Sequence, residues 1–288
     1  MAELISGLVY SKKVLEEVAE GIRETRKEHP DFMPCLAIVQ VGDRSDSNVY
    51  IGAKLKKAAE IGAEGRLVKL NGDITQADLE RTIDELNADN ECSNPIDADG
   101  VIDRIHRLKD VDGLTRENAG RLARGELDSC VVPCTPAGCL YLVQQATGDS
   151  KYPSGKHVVV LGRSKIVGSP AAALFMWNHA TTTICHSRTK NIEEHCRRAD
   201  ILIVAIGKKH FVKGDWIKPG AVVIDCGINV EEAKEEGKKN RLFGDVDTEA
   251  AKQMAGFVTP VPGGVGPMTV AMLIRNTFLQ AKKRRFGQ

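Results

Sequence analysis

No apolar run in the sequence is long enough to span a bilayer, so no membrane helix is expected. Charge of one sign is also missing. The 40 Lys and Arg residues face 39 Asp and Glu, leaving a net charge of +1, and nothing in that balance points to a nucleic-acid or membrane partner. The basic end Lys282-Lys-Arg-Arg285 reads as a solvated helix terminus, where cations complement the dipole. The eight cysteines contain no C-x-x-C pair. Cys130, Cys134 and Cys139 lie close together, but no His or Cys set completes a zinc pattern, so no metal is expected. Most of the cysteines read as small buried residues in a reducing compartment. The N-terminus has no basic-then-apolar signal and is helically periodic by Val14, which favours a cytoplasmic location. Repeats and low-complexity segments are absent.

What is present is an ordinary globular composition, 42% hydrophobic and 27% charged over 288 residues, enough for two domains or one large one. The first half alternates helix and strand. Lys13–His29 carries Val14, Leu15, Val18 and Ile22 on one helical face. Cys35–Val41 is a buried strand, Asn48–Ile61 a helix and Leu67–Leu70 a strand. Thr75 and Asp78 resemble a capping box for a helix with Leu79, Ile83 and Leu86 inward. This is the grammar of a parallel α/β sheet, which then calls for another buried strand. Between Asn87 and Asp99 no two apolar residues stand together, so none is expected there, and the next helix is placed at Val101–Leu108. Thr135-Pro136 reads as a cap and first residue of a helix running to about Gln145. Tyr152–Gly155 reads as a linker. A second α/β series follows: strands at His157–Leu161, Thr181–Cys185, Ile201–Ala205 and Ala221–Ile224, with a helix from about Pro170 to Trp177.

Three places could carry chemistry. Gly162-Arg-Ser-Lys-Ile-Val-Gly168 follows an apolar run and precedes a helix. That is the setting of a nucleotide-binding loop, although only two glycines stand where the fingerprint has three; an ordinary strand–helix turn is the plainer reading. The acid that would hold a ribose 2′-hydroxyl is missing after the next strand, which ends in His186-Ser-Arg188, while Arg163 and Ser164 lie in the loop. Basic and hydroxyl groups suit a 2′-phosphate, so NADP is favoured over NAD. Tyr50 and Lys54 are neighbours on one helical face. Such a lysine is ordinarily a surface residue, and burial would lower its pKa enough for acid–base work. Thr259–Val270 packs three prolines and three glycines between Pro260 and Pro267. It reads either as a structural turn or as bare backbone presenting N–H groups at the start of the helix expected from Val270.

Taken in order, Tyr50-Ile-Gly-Ala-Lys54, Lys109-Asp-Val-Asp-Gly113, Pro133-Cys-Thr-Pro136, Gly162–Gly168, Asp225-Cys-Gly-Ile-Asn229 and Pro260–Thr269 closely resemble the bifunctional methylenetetrahydrofolate dehydrogenase/methenyltetrahydrofolate cyclohydrolase family. The nearest pattern is the N-terminal part of the eukaryotic trifunctional folate synthase, over essentially the whole chain. The resemblance implies a two-domain α/β fold: residues 1–135 plus 268–288 as the folate-binding catalytic domain, and 136–267 as a Rossmann-like NADP-binding domain, with a cleft between them. It implies NADP-linked oxidation of 5,10-methylenetetrahydrofolate and hydrolysis of the methenyl product to 10-formyltetrahydrofolate. Carried over by motif, Lys54 is the catalytic lysine, Tyr50 packs on the folate and Asp112 hydrogen-bonds the pterin. Pro262, Gly263, Gly264, Val265, Gly266, Pro267, Met268, Thr269 and Val270 line the folate site. Gly162, Arg163, Ser164 and Ser187 hold NADP, with Ile228 beside the nicotinamide. A homodimer through the nucleotide domain is also implied.

One departure stands out. The family carries a buried strand ending in Val-Gln-Leu-Pro, whose glutamine pairs with the catalytic lysine, and nothing between Asn87 and Asp99 matches it. An impaired or non-catalytic folate- and NADP-binding variant is therefore the alternative to an active enzyme. A generic NADP-dependent dehydrogenase is a third reading, against which Tyr50, Lys54 and the final loop argue.

Overall fold

The computed structural model describes residues 1–43, 45–88, 92–93, 102–231 and 240–287, with side chains left aside at 45–50 and 92–93. The chain forms two compact units. One comprises Met1–Tyr10 with Thr135–Thr269; the other comprises Ser11–Cys134 with Val270–Gln288.

In chain order the elements begin with β1 (Glu3–Leu4), α1 (Gly7–Glu28), β2 (Cys35–Val41), α2 (Ser45–Glu60), β3 (Glu64–Leu70), α3 (Gln76–Ala88) and β4 (Cys92–Ser93). Next come α4 (Arg116–Ala123), α5 (Cys134–Thr147), β5 (His157–Leu161), α6 (Gly168–Trp177), β6 (Thr181–Cys185), α7 (Ile192–Arg198) and β7 (Ile201–Val204). The last are β8 (Val222–Asp225), β9 (Asn229–Glu231), β10 (Arg241–Phe243), α8 (Thr248–Met254), β11 (Phe257–Val258) and α9 (Val265–Phe286).

The unit built on Ser11–Cys134 holds a parallel sheet of order β3-β2-β4. The central strand β2 is buried along all but its last residue, as a strand covered on both faces must be. It pairs with β3 from Cys35↔Glu64 to Val41↔Leu70. Helix α3 lays Leu79, Ile83 and Leu86 on a core with Cys35, Ala37, Val39 and Ile105. Its start is capped as expected: the Thr75 hydroxyl accepts the Asp78 N–H at 3.1 Å and donates to the Asp78 carboxylate at 2.6 Å.

Two expectations fail in this unit. A third strand is present where none was expected, because Cys92 and Ser93 pair with Cys35 and Leu36. Ladder bonds are made by backbone groups and need no apolar pair. The remainder of the Asn87–Asp99 departure lies outside the described residues. The helix placed at Val101–Leu108 is only a 3₁₀ turn at Ile102–Arg104. Asn87 explains this, since its side-chain amide donates to the Arg104 carbonyl at 2.8 Å and its oxygen accepts the His106 N–H at 3.1 Å. Those backbone groups are thereby taken from any continuing helix.

The other unit is a six-stranded parallel sheet of order β1-β11-β8-β7-β5-β6, with a β9–β10 ribbon beside it. Strands β7 and β8 are buried throughout, and β5 beyond His157. Met1–Tyr10, expected with the catalytic domain, belong here, because Glu3 and Leu4 pair with Phe257 and Val258. Gly7 also lies so close to Gly264 that a β-carbon on it would sit 1.7 Å from the Gly264 carbonyl oxygen. Helix α5 begins at Cys134, one residue before the expected cap. Thr135 and Pro136 occupy its first turn, where proline's missing N–H costs nothing. Helix α9 begins at Val265 rather than at Val270. Pro267 is its third residue and again falls where amides have no helical partner.

Asp110 organises the turn ahead of α4. Its carboxylate accepts the N–H groups of Gly113 (2.8 Å), Leu114 (3.1 Å) and Thr115 (2.8 Å) and the side-chain amide of Asn118 (2.7 Å). Asp110→Ala strands these donors in a buried place and should lower unfolding free energy by about 3 kcal/mol or more, measured from urea denaturation midpoints. A loss within the range of a surface substitution would contradict this role.

Candidate functional site

The carboxyl ends of β5, β6 and β7 enclose a cavity of about 290 Å³ lined by Leu161, Gly162, Arg163, Cys185, His186, Ser187, Ile192, Ala205, Ile206, Lys208 and Phe211. Its location follows from topology. From β5 the chain proceeds to β6 on one side of the sheet and returns to β7 on the other, and such a switch point leaves a crevice outside the strand ends. Gly162 has φ +111°, and a β-carbon there would lie 2.2 Å from the Ala205 carbonyl oxygen. A β-carbon on Gly168 would lie 2.3 Å from the Gly162 carbonyl oxygen. Both glycines of the incomplete fingerprint are thus required by close backbone approach.

Of the residues expected to hold NADP, Gly162, Arg163 and Ser187 line this cavity, while Ser164 and Ile228 do not. Ser164 instead caps α6, its hydroxyl accepting the N–H groups of Val167 (3.1 Å) and Gly168 (3.3 Å). Ile228 follows β8 and is about half exposed. The polar lining consists of Arg163, His186, Ser187 and Lys208, and no carboxylate occurs in it among the described residues. A phosphate-bearing nucleotide fits that donor set.

Behind the cavity lie two buried carboxylates that sequence reasoning missed. Asp245 accepts the N–H groups of Ile206 (2.7 Å), Gly207 (2.9 Å) and Lys208 (2.8 Å) and the side-chain amide of Asn229 (2.9 Å). Asp225 accepts those of Gly227 (2.9 Å), Asp245 (3.0 Å) and Val246 (2.9 Å). Its own N–H donates to the Thr259 hydroxyl at 2.8 Å. Asp225 is the first residue of a recognised motif, but its inward role was not legible from spacing. Gly244-Asp-Val-Asp247 gave no periodic signal.

In the other unit, Lys54 is half-buried on α2. Tyr50 falls on the same helix, but its side chain lies outside the described residues. Asp112 is half-buried, and its carboxylate accepts from the Cys134 thiol at 3.7 Å. The Val111 carbonyl, 3.5 Å from the same sulfur, is the alternative acceptor for its single proton. Burial, followed by the Asp112 charge, pushes that thiol well up, while Lys54 acts in the opposite sense. Lys54, Asp112 and Cys134 therefore share one electrostatic neighbourhood. Asn276 fixes it from α9, donating to the carbonyls of Val111 (2.9 Å) and Val132 (3.1 Å).

The turn expected to line a folate site is divided by the start of α9. Pro262, Gly263 and Gly264 precede the helix; Val265, Gly266, Pro267, Met268, Thr269 and Val270 are its opening residues. Gly263 has φ +101°, and a β-carbon on Gly264 would lie 2.5 Å from the Pro260 carbonyl oxygen. Met268 is fully buried and Thr269 shares a 2.9 Å hydroxyl contact with Thr135. Part of this glycine and proline content thus serves packing.

The sheet and its switch-point cavity define a Rossmann-like dinucleotide-binding unit joined to a smaller α/β unit. Comparison with known proteins agrees and is specific. The tetrahydrofolate dehydrogenase/cyclohydrolase catalytic domain matches residues 5–112, and the NAD(P)-binding domain of the same name matches residues 133–285. The chain belongs to this family. It is 49% identical, over 98% of its length, to the cytoplasmic C-1-tetrahydrofolate synthase of Drosophila melanogaster, of which it covers 30%. It is 44% identical to the bifunctional protein FolD of Anaplasma marginale, over 99% of this chain and 95% of that one. The crystal structure of Trypanosoma brucei FolD, complexed with NADP cofactor and inhibitor, superposes with a TM-score of 0.91 at 35% identity, covering 98% of each chain. The chain thus spans about a third of the synthases it matches and nearly all of the stand-alone enzymes.

Burial pushes the Asp225 carboxyl from its ordinary 3.8 up to about 6, against the pull of the three N–H donors. The folded state therefore binds this proton more tightly than the unfolded chain does. Asp225 contributes most to stability below about pH 4, and that contribution is lost as pH rises through about 6. Asp225→Asn does not titrate. The stability advantage of wild type over Asp225→Asn at about pH 4 should shrink by about 2 kcal/mol at about pH 7, as measured by urea denaturation at each pH. A gap that does not change with pH would contradict this.

Proposed function

We propose that this protein catalyses NADP-dependent oxidation of 5,10-methylenetetrahydrofolate to the methenyl compound and hydrolyses that product to 10-formyltetrahydrofolate. The observation that carries this reading is the switch-point cavity with Arg163 and Ser187 in its wall and no carboxylate among its described lining residues, in a chain of this family. The chemistry supplied by the bound nucleotide is acceptance of a hydride from the one-carbon bridge. Gly162 admits the nucleotide backbone closely, and Arg163 and Ser187 bind its phosphate and hydroxyl groups. Ser164 shapes the loop through its cap on α6, and Ile228 borders the nicotinamide end.

Folate is assigned to Tyr50, Lys54, Asp112 and the residues Pro262–Val270. Asp112, a half-buried acceptor, suits the N–H groups of a pterin. Lys54 orients the water that adds to the methenyl carbon; one of the water's protons passes to N5 as the carbon–N5 bond breaks, and the other is released. Hydride transfer mainly requires positioning, whereas hydrolysis also requires proton transfer. Lys54→Met should therefore reduce hydrolysis of methenyltetrahydrofolate by about 10²-fold or more and reduce NADP-linked oxidation less. Both can be read from absorbance assays on one preparation. Wild type lacking both activities would remove the proposal, and an equal loss of both in Lys54→Met would remove the role given to Lys54.

We also assign the protein to the cytoplasm, where its synthase relatives are named, and to a homodimer formed by the nucleotide-binding unit. In that unit β6 is an edge strand with Ile184 exposed, packed beside α6, whose last residues Met176 and Trp177 are exposed as well. An unpaired edge strand beside exposed apolar residues favours pairing with a second copy. Ile184→Lys should shift sedimentation from dimer to monomer; a monomeric wild type would refute the assignment.

A further inference from the structure

The chain following β7 reads Ala205-Ile-Gly-Lys-Lys209, and its two lysines are used differently. Lys209 pairs with Glu231, and its ammonium lies 3.5 Å from the centroid of the Phe243 ring. Lys208 lines the nucleotide cavity with its ammonium 5.6 Å from the centroid of the Phe211 ring, another lining residue. Lys208 has no ion pair among the described residues.

A phosphate monoester carries close to two negative charges at neutral pH, and Arg163 supplies one positive charge. The His186 Nδ1 is already taken, since it accepts the Arg188 N–H at 3.2 Å. Ser187 contributes a hydroxyl. Lys208 is the remaining cation of the lining. Its backbone is pinned, because the Asp245 carboxylate takes the three successive N–H groups of Ile206, Gly207 and Lys208. That carboxylate is fully buried and does not line the cavity, so its charge does not compete for the lysine there.

We propose that Lys208, on a backbone held by the Asp245 carboxylate, is a specificity-determining residue that recognises the 2′-phosphate of the nucleotide together with Arg163 and Ser187. The proposal rests on the NADP reading above and extends it to a residue on the opposite wall of the cavity. The cation then discriminates the 2′-phosphorylated nucleotide from the unphosphorylated one and takes no part in hydride transfer.

Two nucleotides that differ only in this group, 2′,5′-ADP and 5′-AMP, make the test. Their binding to wild type, Lys208→Gln and Lys208→Arg is measured by calorimetry, with kcat and KM for NADP measured on the same preparations. Wild type should prefer 2′,5′-ADP by at least about tenfold, and Lys208→Gln should lose most of that preference, with 5′-AMP affinity unchanged. KM for NADP should rise about tenfold while kcat at saturation holds, and Lys208→Arg should restore the preference. Equal weakening of both nucleotides in Lys208→Gln, or an unchanged ratio, would overturn the role of Lys208 alone. No preference in wild type would overturn the NADP reading itself, and the two failures are distinguishable.

Discussion

Two buried carboxylates hold the carboxyl edge of the six-stranded sheet in shape. A parallel sheet ends in loops whose N–H groups have no ladder partner, and a cavity can exist there only if something else satisfies them. Asp225, at the end of β8, takes the N–H groups of Gly227, Asp245 and Val246. Asp245 in turn takes three N–H groups after β7 and the amide of Asn229. The first acid thus orders the backbone of the second, and the second orders the cavity wall. Each carboxylate bonds only donors, which is what allows negative charge so deep in the protein. Burial still wins at Asp225, whose carboxyl rises to about 6.

The two acids of Lys109-Asp-Val-Asp-Gly113 divide labour in the same manner. Asp110 is fully buried and takes four donors. Asp112, two residues on, is left half-buried beside the Cys134 thiol. The first fixes a turn tight enough that a β-carbon on Gly113, at φ +73°, would lie 2.4 Å from the Val131 carbonyl oxygen. The second is thereby carried on a backbone that the first has fixed.

Periodicity and turn chemistry made the regular parts legible. Strands β2 and β5, the capping of α3 by Thr75, and the inward face of α3 follow from residue type alone. Two of the failures share one cause, bonds made by groups that leave no pattern. Strand β4 is held by backbone pairing without an apolar signature, and the Asn87 side chain ends a helix that spacing favoured. The early start of α9 at Val265 was obscured by prolines and glycines tolerated in a first turn. Of the cavity lining, Gly162 and Arg163 could be placed because strand, loop and helix follow in a known order, and Ser187 through the motif resemblance. Asp245 could not, since the three N–H groups it accepts are 37 to 39 residues away in the chain. Lys208 had a readable clue, a basic pair four residues past the end of a short buried strand, where ligands of a parallel sheet are met.

The incomplete glycine fingerprint also finds its reason in the cavity wall. Gly168 keeps the close approach at the start of α6, and the small residues Ala171 and Ala172 are buried just behind it. Ser164, where a second loop glycine could stand, satisfies two amides at the start of α6. A capped helix end is less available to a phosphate, because part of its N–H capacity is already taken. A loop built this way leaves side-chain cations as the stronger donors toward an anion, and Arg163 and Lys208 both line the cavity wall.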